Sequence, residues 1–362
     1  MFDIGFYMRV SELKKQLMDQ KLKGMDKLDL FNKIEELRSP NPVIYNIETT
    51  NACNMQCQMC PRTTMMTRKV ETMDMAVFEK IIDQIKPFTR AEISEWERFA
   101  EENYGIKKEE MSENHFFLYV IPLVLVLHGY GDPLLDKHMP DRVKLLTERN
   151  IPSYFSCNPA NINIDKTLAI FESGLGYIKY SIESVDDMRH KQIRGKASNF
   201  SESYKKIIHL LEMKKKHGYK TTFVITMLDL VNEYQEEEFE KLKKAFAGRD
   251  VYIYLKSQDQ KWYQDKNQPT KSIHWTEFCQ FPWSSMTIKS NAEAVECVED
   301  FNNEIILGDA SKERLSDIWN GNKYRKFRQD HFDLTKGIKC TEQCDMRLIG
   351  SLVEGIKSKR KG

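Results

Sequence analysis

Eight cysteines in a chain of 362 residues fall into three groups, and their spacing is what could do chemistry here. Cys53, Cys57 and Cys60 lie within Cys-Asn-Met-Gln-Cys-Gln-Met-Cys, a C-x3-C-x2-C pattern short enough to fold around one metal centre. Thiolates suit iron and sulfide, and a cubane cluster held by protein at three of its four irons keeps one iron open. Zinc is the alternative, but structural zinc sites usually draw four ligands from paired C-x2-C units, and no fourth ligand lies in this loop. Cys279, Cys297, Cys340 and Cys344 form a second group, C-x17-C then C-x3-C. Four thiolates suffice for one fully ligated iron–sulfur cluster or for a zinc ion. Cys157 stands alone in Phe-Ser-Cys-Asn-Pro. In a long chain with no secretory signal, such cysteines point to metal or redox chemistry rather than a disulfide framework.

These groups need elements to hold them. From residue 43 to 257 short β-rich runs alternate with helical patterns, the signature of βα units on a parallel sheet. The runs Val43 to Glu48, Leu123 to His128, Ser153 to Cys157, Tyr177 to Ile182, Thr221 to Met227 and Val251 to Leu255 are predicted strands. Between them, Tyr204, Ile207, Ile208 and Leu211 share a helical face before Gly218, and Phe239, Leu242 and Phe246 share one before Gly248. Six units are too few for a closed eight-stranded barrel. They suit an α/β partial (β/α)6 TIM-like barrel whose site lies at the strand C-terminal ends. The first cysteine group follows the first strand, at that end.

Residues 1–40 read as a helical cap on the barrel. The barrel proper spans residues 41–258, with an insertion at about 87–116 whose acidic stretch from Ile93 to Tyr104 is a lid, a contact surface or a neutral solvated excursion. Residues 259–362 form a small cluster-binding domain with few strands and a basic tail. With 55 Lys+Arg against 54 Asp+Glu, the near-neutral charge gives no argument for nucleic acid or an anionic membrane as partner. The longest apolar run, Phe116 to Leu127, is broken by Pro122 and too short to span a bilayer. A cytoplasmic protein is expected.

The C-x3-C-x2-C loop after the first strand of a six-unit barrel resembles the radical S-adenosylmethionine (SAM) superfamily. The resemblance implies that Cys53, Cys57 and Cys60 hold a [4Fe-4S] cluster whose open iron binds SAM. Reductive cleavage then yields methionine and a 5′-deoxyadenosyl radical that abstracts a substrate hydrogen atom. The residue before the third cysteine is often aromatic in the family and here is Met59, whose thioether can also pack on adenine. His128-Gly129-Tyr130-Gly131-Asp132-Pro133 is similar to the family's glycine-rich segment: Gly129 and Gly131 would let backbone approach the cofactor, and Asp132 would meet the SAM ammonium. Ser181 and Arg194 would bind the SAM carboxylate.

The C-terminal cysteines resemble the SPASM/twitch extensions of the same superfamily, and their number fits the shorter twitch type with one auxiliary [4Fe-4S] cluster, as in an aminocyclitol dehydrogenase. The cofactors implied are thus SAM and two [4Fe-4S] clusters, with an electron donor such as flavodoxin or ferredoxin as partner. The expected reaction is oxidation of a small polar molecule, such as a sugar or cyclitol, with the auxiliary cluster taking the second electron. Peptide modification or epimerisation is the enzymatic alternative, and an iron–sulfur or zinc-binding interaction protein is the non-enzymatic one. His128, Glu183, Tyr254 and Lys256 are candidate substrate contacts. Cys157 is expected to be an inert packed thiol; its sharper reading is a hydrogen-atom donor at the barrel mouth, as an epimerase requires.

Overall fold

The computed structural model describes residues 1–19, 25–105, 112–230, 232–256, 279, 281–333 and 335–342. Within them the chain forms strands β1 (Ile44–Ile47), β2 (Leu125–Val126), β3 (Ser153–Cys157), β4 (Tyr177–Ser181), β5 (Thr222–Leu228), β6 (Val251–Lys256), β7 (Met286–Ile288), β8 (Glu293–Val295) and β9 (Ile306–Asp309). All nine join one sheet, in the order β6-β5-β4-β3-β2-β1-β7-β8-β9. The first six pair in parallel and in chain order, which gives the six-unit partial barrel expected from the alternating pattern. Helices such as Phe200–His217 and Gln235–Ala245 cross over between strands, the first closed by Gly218 at φ 71°.

Both faces of the strands carry apolar residues because each face is covered. On the convex side Phe155, Cys157, Ile178, Tyr180, Phe223 and Ile225 pack under the helices with Val143, Leu146, Ile170 and Leu210. On the concave side Val126, Tyr154, Val224 and Tyr254 meet Phe2, Trp96, Phe116 and Tyr119. The described part of the insertion packs one face on the barrel. Its helix Arg90–Tyr104 is anchored by Trp96, whose indole N–H donates to the Leu118 carbonyl. Phe116 enters the barrel from the strand N-terminal end, against Tyr177 and Tyr252, the first and second residues of β4 and β6. A six-stranded arc leaves its concave face open, and the aromatic plug removes that apolar surface from water at about 25 cal/mol per Å².

The sheet has more than the six strands read from the sequence, and it grows at its β1 side. β7 pairs in parallel with β1, Ile44 opposite Met286 and Ile47 opposite Ile288, and β8 and β9 extend it antiparallel. The helices Ile4–Met18 and Lys27–Leu37 cap this C-terminal unit as much as the barrel: Phe6, Leu30, Phe31 and Ile34 pack on Trp283 and Phe332. Glu35 fixes the junction, accepting from the Trp283 indole and the buried Arg328 guanidinium. No helix among the described residues is long and apolar enough to cross a membrane.

Candidate active site

The first cysteine loop leaves β1 at the strand C-terminal end and is held on three sides. The backbone N–H groups of Gln56 and Gln58 donate to the carbonyls of Arg194 and Ile193, the last residues of the helix Asp187–Arg194. Those carbonyls have no partner within their own helix, so the loop satisfies them. Gly195 follows at φ 100°, and a Cβ there would lie 3.0 Å from the Gln56 nitrogen. On the second side the Asp132 N–H donates to the Ala52 carbonyl. On the third, Asn54 and Asn161 exchange side-chain hydrogen bonds of 2.8 and 2.9 Å. All three thiols are free, Cys57 buried and Cys53 and Cys60 half-buried. Burial raises the pKa of Cys53 and pushes that of Cys60 up to about 11, with the neighbouring Cys57 adding to both.

Arg194 sits against this loop, one guanidinium nitrogen 3.6 Å from Cys57 Sγ and another paired with the Glu183 carboxylate. Burial works against its charge, but Glu183 and Cys57 outweigh it and raise its pKa. Glu183 also accepts from the Leu228 N–H at 2.7 Å. The structure thus gives Glu183 the task of holding Arg194, and not the direct substrate contact expected from the sequence. The Nε of Arg194 is buried with no hydrogen-bond partner.

The glycine-rich segment approaches β1. A Cβ on Gly129 would fall 2.3 Å from Glu48 Oε2 and one on Gly131 2.1 Å from the Thr50 carbonyl, so both positions require glycine for close backbone packing. Glu48 accepts from the Tyr130 N–H at 3.0 Å and pairs with Arg68 at 2.8 Å. Asp132, its pKa raised by burial, accepts from the N–H groups of Leu134 and Asn158 and from Asn161 Nδ2. Its carboxylate ties its own loop to the one after β3. A carboxylate has about four lone-pair sites, which leaves room for one further donor. Asn158 Nδ2, nearby, is buried and unpartnered.

Along the concave wall Ser156 and Ser181 bring their hydroxyls to 3.4 Å, and His128 accepts from the Ser156 N–H at Nδ1. The His128 proton therefore sits on Nε2. Burial, with Lys179 nearby, lowers its pKa to about 3 and keeps the ring neutral. Tyr254 is buried beside Phe116, its pKa raised by burial, which makes it part of the floor. Lys256 and Met59 are half-buried. Cys157 lies on the other face of β3, with its thiol donating to the Lys179 carbonyl and its neighbours in the helix-packed layer. Strand alternation sets this: Tyr154 and Ser156 face in, Phe155 and Cys157 face out.

The second cysteine group surrounds a separate cavity. Cys279, Cys297 and Cys340 line it together with Tyr45 of β1, Thr287 of β7, Glu296 and His331; Cys344 lies outside the described residues. His331 accepts from the Cys279 N–H at Nε2, which places its own proton on Nδ1, 3.3 Å from Cys340 Sγ. Glu296 is buried, and burial followed by Asp300 raises its pKa well above the usual carboxylate range.

A family model described as the radical SAM superfamily matches residues 47–246, and one described as an iron–sulfur cluster-binding domain, SPASM, matches residues 279–345. The chain belongs to the radical SAM superfamily. Among solved structures it is similar to anSMEcpe with bound AdoMet, with a TM-score of 0.52 at 12% identity over 88% of this chain and 92% of that one. It is also similar to SuiB of Streptococcus suis bound to precursor peptide SuiA, with a TM-score of 0.50 at 12% identity over 88% of this chain and 73% of that one. BtrN in complex with AdoMet and 2-DOIA follows with a TM-score of 0.48 at 16% identity over 84% of this chain and 94% of that one. At these identities the likeness is one of fold. No curated protein sequence matches significantly.

As a radical SAM enzyme with a SPASM unit, the protein uses SAM, a [4Fe-4S] cluster and an additional cluster. The residues present fit these groups. Three free thiols share one short loop, and two buried donors beside it, Arg194 Nε and Asn158 Nδ2, lack acceptors of the kind a ligand carboxylate provides. Sequence reasoning missed Lys179, Asn158, Asn161, Glu48 and His331. Lys179 was within reach: once Ser181 is placed inward, the residue two earlier on β4 must share its face.

Proposed function

We propose that this radical SAM enzyme oxidises a small polar substrate, such as a sugar or cyclitol, held at the C-terminal mouth of its barrel. The observation that carries this reading is that one strand, β1, borders both thiol groups. β1 leads at its C-terminal end into the Cys53–Cys60 loop, and Tyr45 of the same strand walls the cavity of Cys279, Cys297 and Cys340. An electron-accepting centre this close suits a reaction that must export an electron. Bound at Cys53, Cys57 and Cys60, the cluster and SAM supply a 5′-deoxyadenosyl radical able to remove a hydrogen atom from an unactivated carbon.

The chain's own residues position and select. Arg194, steadied by Glu183, presents its unpartnered Nε to the SAM carboxylate, and Asp132 offers its remaining lone pair to the ammonium. His128, Ser156 and Ser181 supply neutral donors at the mouth, while Phe116, Tyr154 and Tyr254 close the floor against water. The auxiliary unit is read as the one-cluster, twitch type, with His331 donating to Cys340 to stabilise thiolate charge. The outward direction of Cys157 supports oxidation over epimerisation, since a thiol on the helix-packed face cannot return a hydrogen atom to the mouth.

The test is anaerobic reconstitution, reduction with dithionite and incubation with SAM and carbon-deuterated polyols. Oxidation predicts deuterium in 5′-deoxyadenosine and a product two hydrogens lighter than substrate. A product of unchanged composition and inverted stereochemistry would replace this reading with epimerisation.

A further inference from the structure

We propose that Lys179, flanked by Lys256, binds an anionic group of the substrate, a carboxylate or a tetrahedral oxyanion, inside the barrel mouth. The inference rests on that mouth being where the substrate sits. β4 alternates, with Ile178 and Tyr180 in the helix-packed layer and Tyr177, Lys179 and Ser181 turned to the concave side. The Lys179 ammonium lies 5.7 Å from the Tyr154 ring centroid and has no hydrogen bond or ion pair among the described residues. Other well-covered lysines are partnered: Lys214 with Asp250 at 2.6 Å and Lys289 with the Val298 carbonyl at 3.1 Å. An ammonium drawn out of water without an anion is costly, and a scaffold has no reason to retain one.

Its surroundings answer that charge only in part, and with no ion pair among the described residues. Lys256 on β6 and Arg194 repel it, while Glu113 at the plug and Glu183 attract it. Glu183 is already committed to Arg194 and the Leu228 N–H. Burial and Lys256 together lower the Lys179 pKa to about 7. The hydroxyls of Ser156 and Ser181 and the Nε2–H of neutral His128 stand on the same wall as additional donors to an oxyanion. Cation and neutral donors converging above an apolar floor make a site for a charged end with a polar body attached.

The experiment uses the full-length, cluster-loaded protein saturated with SAM, and titrates sulfate and acetate separately by calorimetry at pH 6 and pH 8 at constant ionic strength. Neither probe changes charge over that range. One of them is expected to bind at a single saturable site, and which one identifies the oxyanion class. Affinity should fall about tenfold from pH 6 to pH 8, as a group titrating near 7 goes from about nine-tenths to about one-tenth protonated. Lys179→Met should weaken binding at least tenfold at pH 6, and Lys179→Arg should keep it and flatten the pH dependence, so the inference stays testable if the Met variant does not fold. Absence of saturable binding for both probes, or equal affinity in Lys179→Met, overturns it. SAM cleavage is measured in parallel. If the wild-type protein cleaves SAM and binds no anion, only this inference falls; if it does not cleave SAM, the functional reading falls on its own.

Discussion

The two cysteine regions solve the same problem in opposite ways. In the first, three thiols come from eight consecutive residues, and tertiary structure only has to dock the loop, through Ala52, Asn54, Gln56 and Gln58, onto three neighbours. In the second, Cys279, Cys297 and Cys340 come from chain segments far apart, and strands, His331 and a shared cavity wall bring them together. The local arrangement leaves room for an exchangeable ligand. The dispersed one encloses its occupant. Radical chemistry needs the first property and electron storage the second.

The largest effect that tests this division is loss of one centre. Replacing Cys53, Cys57 and Cys60 with alanine should abolish SAM cleavage and lower iron from about eight to about four per chain, the content of one cubane. Replacing Cys279, Cys297 and Cys340 should lose a similar amount of iron while SAM cleavage continues. Iron analysis and 5′-deoxyadenosine yield decide it, and equal loss of cleavage in both variants would collapse the distinction.

Arg194→Ala should weaken SAM binding by about ten- to a hundredfold, the value of about 1.5–3 kcal/mol for charged hydrogen bonds, with both clusters retained. Unchanged affinity in equilibrium dialysis would free Arg194 of its assigned role. In the dispersed region His331→Ala removes the acceptor of the Cys279 N–H and a donor to Cys340. It should cost about 1–3 kcal/mol of stability and shift only the auxiliary cluster's potential in a redox titration.

Acid should act on the first region through His190, which bonds Ser198 at 2.9 Å and through it Asn158. Burial, then Arg194, lowers its pKa from 6.5 to about 4. Between those values the unfolded chain binds the proton and the folded one does not, so stability is lost as pH falls from about 6.5 toward about 4. The limit is about 3 kcal/mol. Denaturation at pH 7 and pH 5 should show a smaller drop for His190→Gln. The smallest effect belongs to Cys157→Ala: a packing loss of about 1 kcal/mol and an unchanged product. An aberrant or quenched product would move that thiol into the chemistry.

Much of the barrel was legible because its strands are β-rich and separated by periodic helices; Ser153–Cys157 matches residue for residue. β7 and β8, three residues each, carry no period that could be read, and their place in the sheet depends on pairing with a strand at the far end of the chain. The insertion was opaque for a related reason, since an acidic helix with one buried face looks the same as plug or lid until its Trp96 finds Leu118. Residue type placed the two cysteine groups. It did not reveal that the Asp132 carboxylate already ties its own loop to the one after β3, or that His331 braces the second group, because these are contacts between segments that share no spacing.

The hydrogen bonding of β7 to β1 has a consequence for how the chain must be handled. Cutting after β6 removes what looks in sequence like a separate domain, yet it strips a parallel partner from β1 and bares a row of unpaired amides and carbonyls on a largely apolar strand. Such an edge is a template for another chain. The shortened protein would pair with copies of itself through β1, and its loss of function would be a failure of solubility before it was a failure of catalysis.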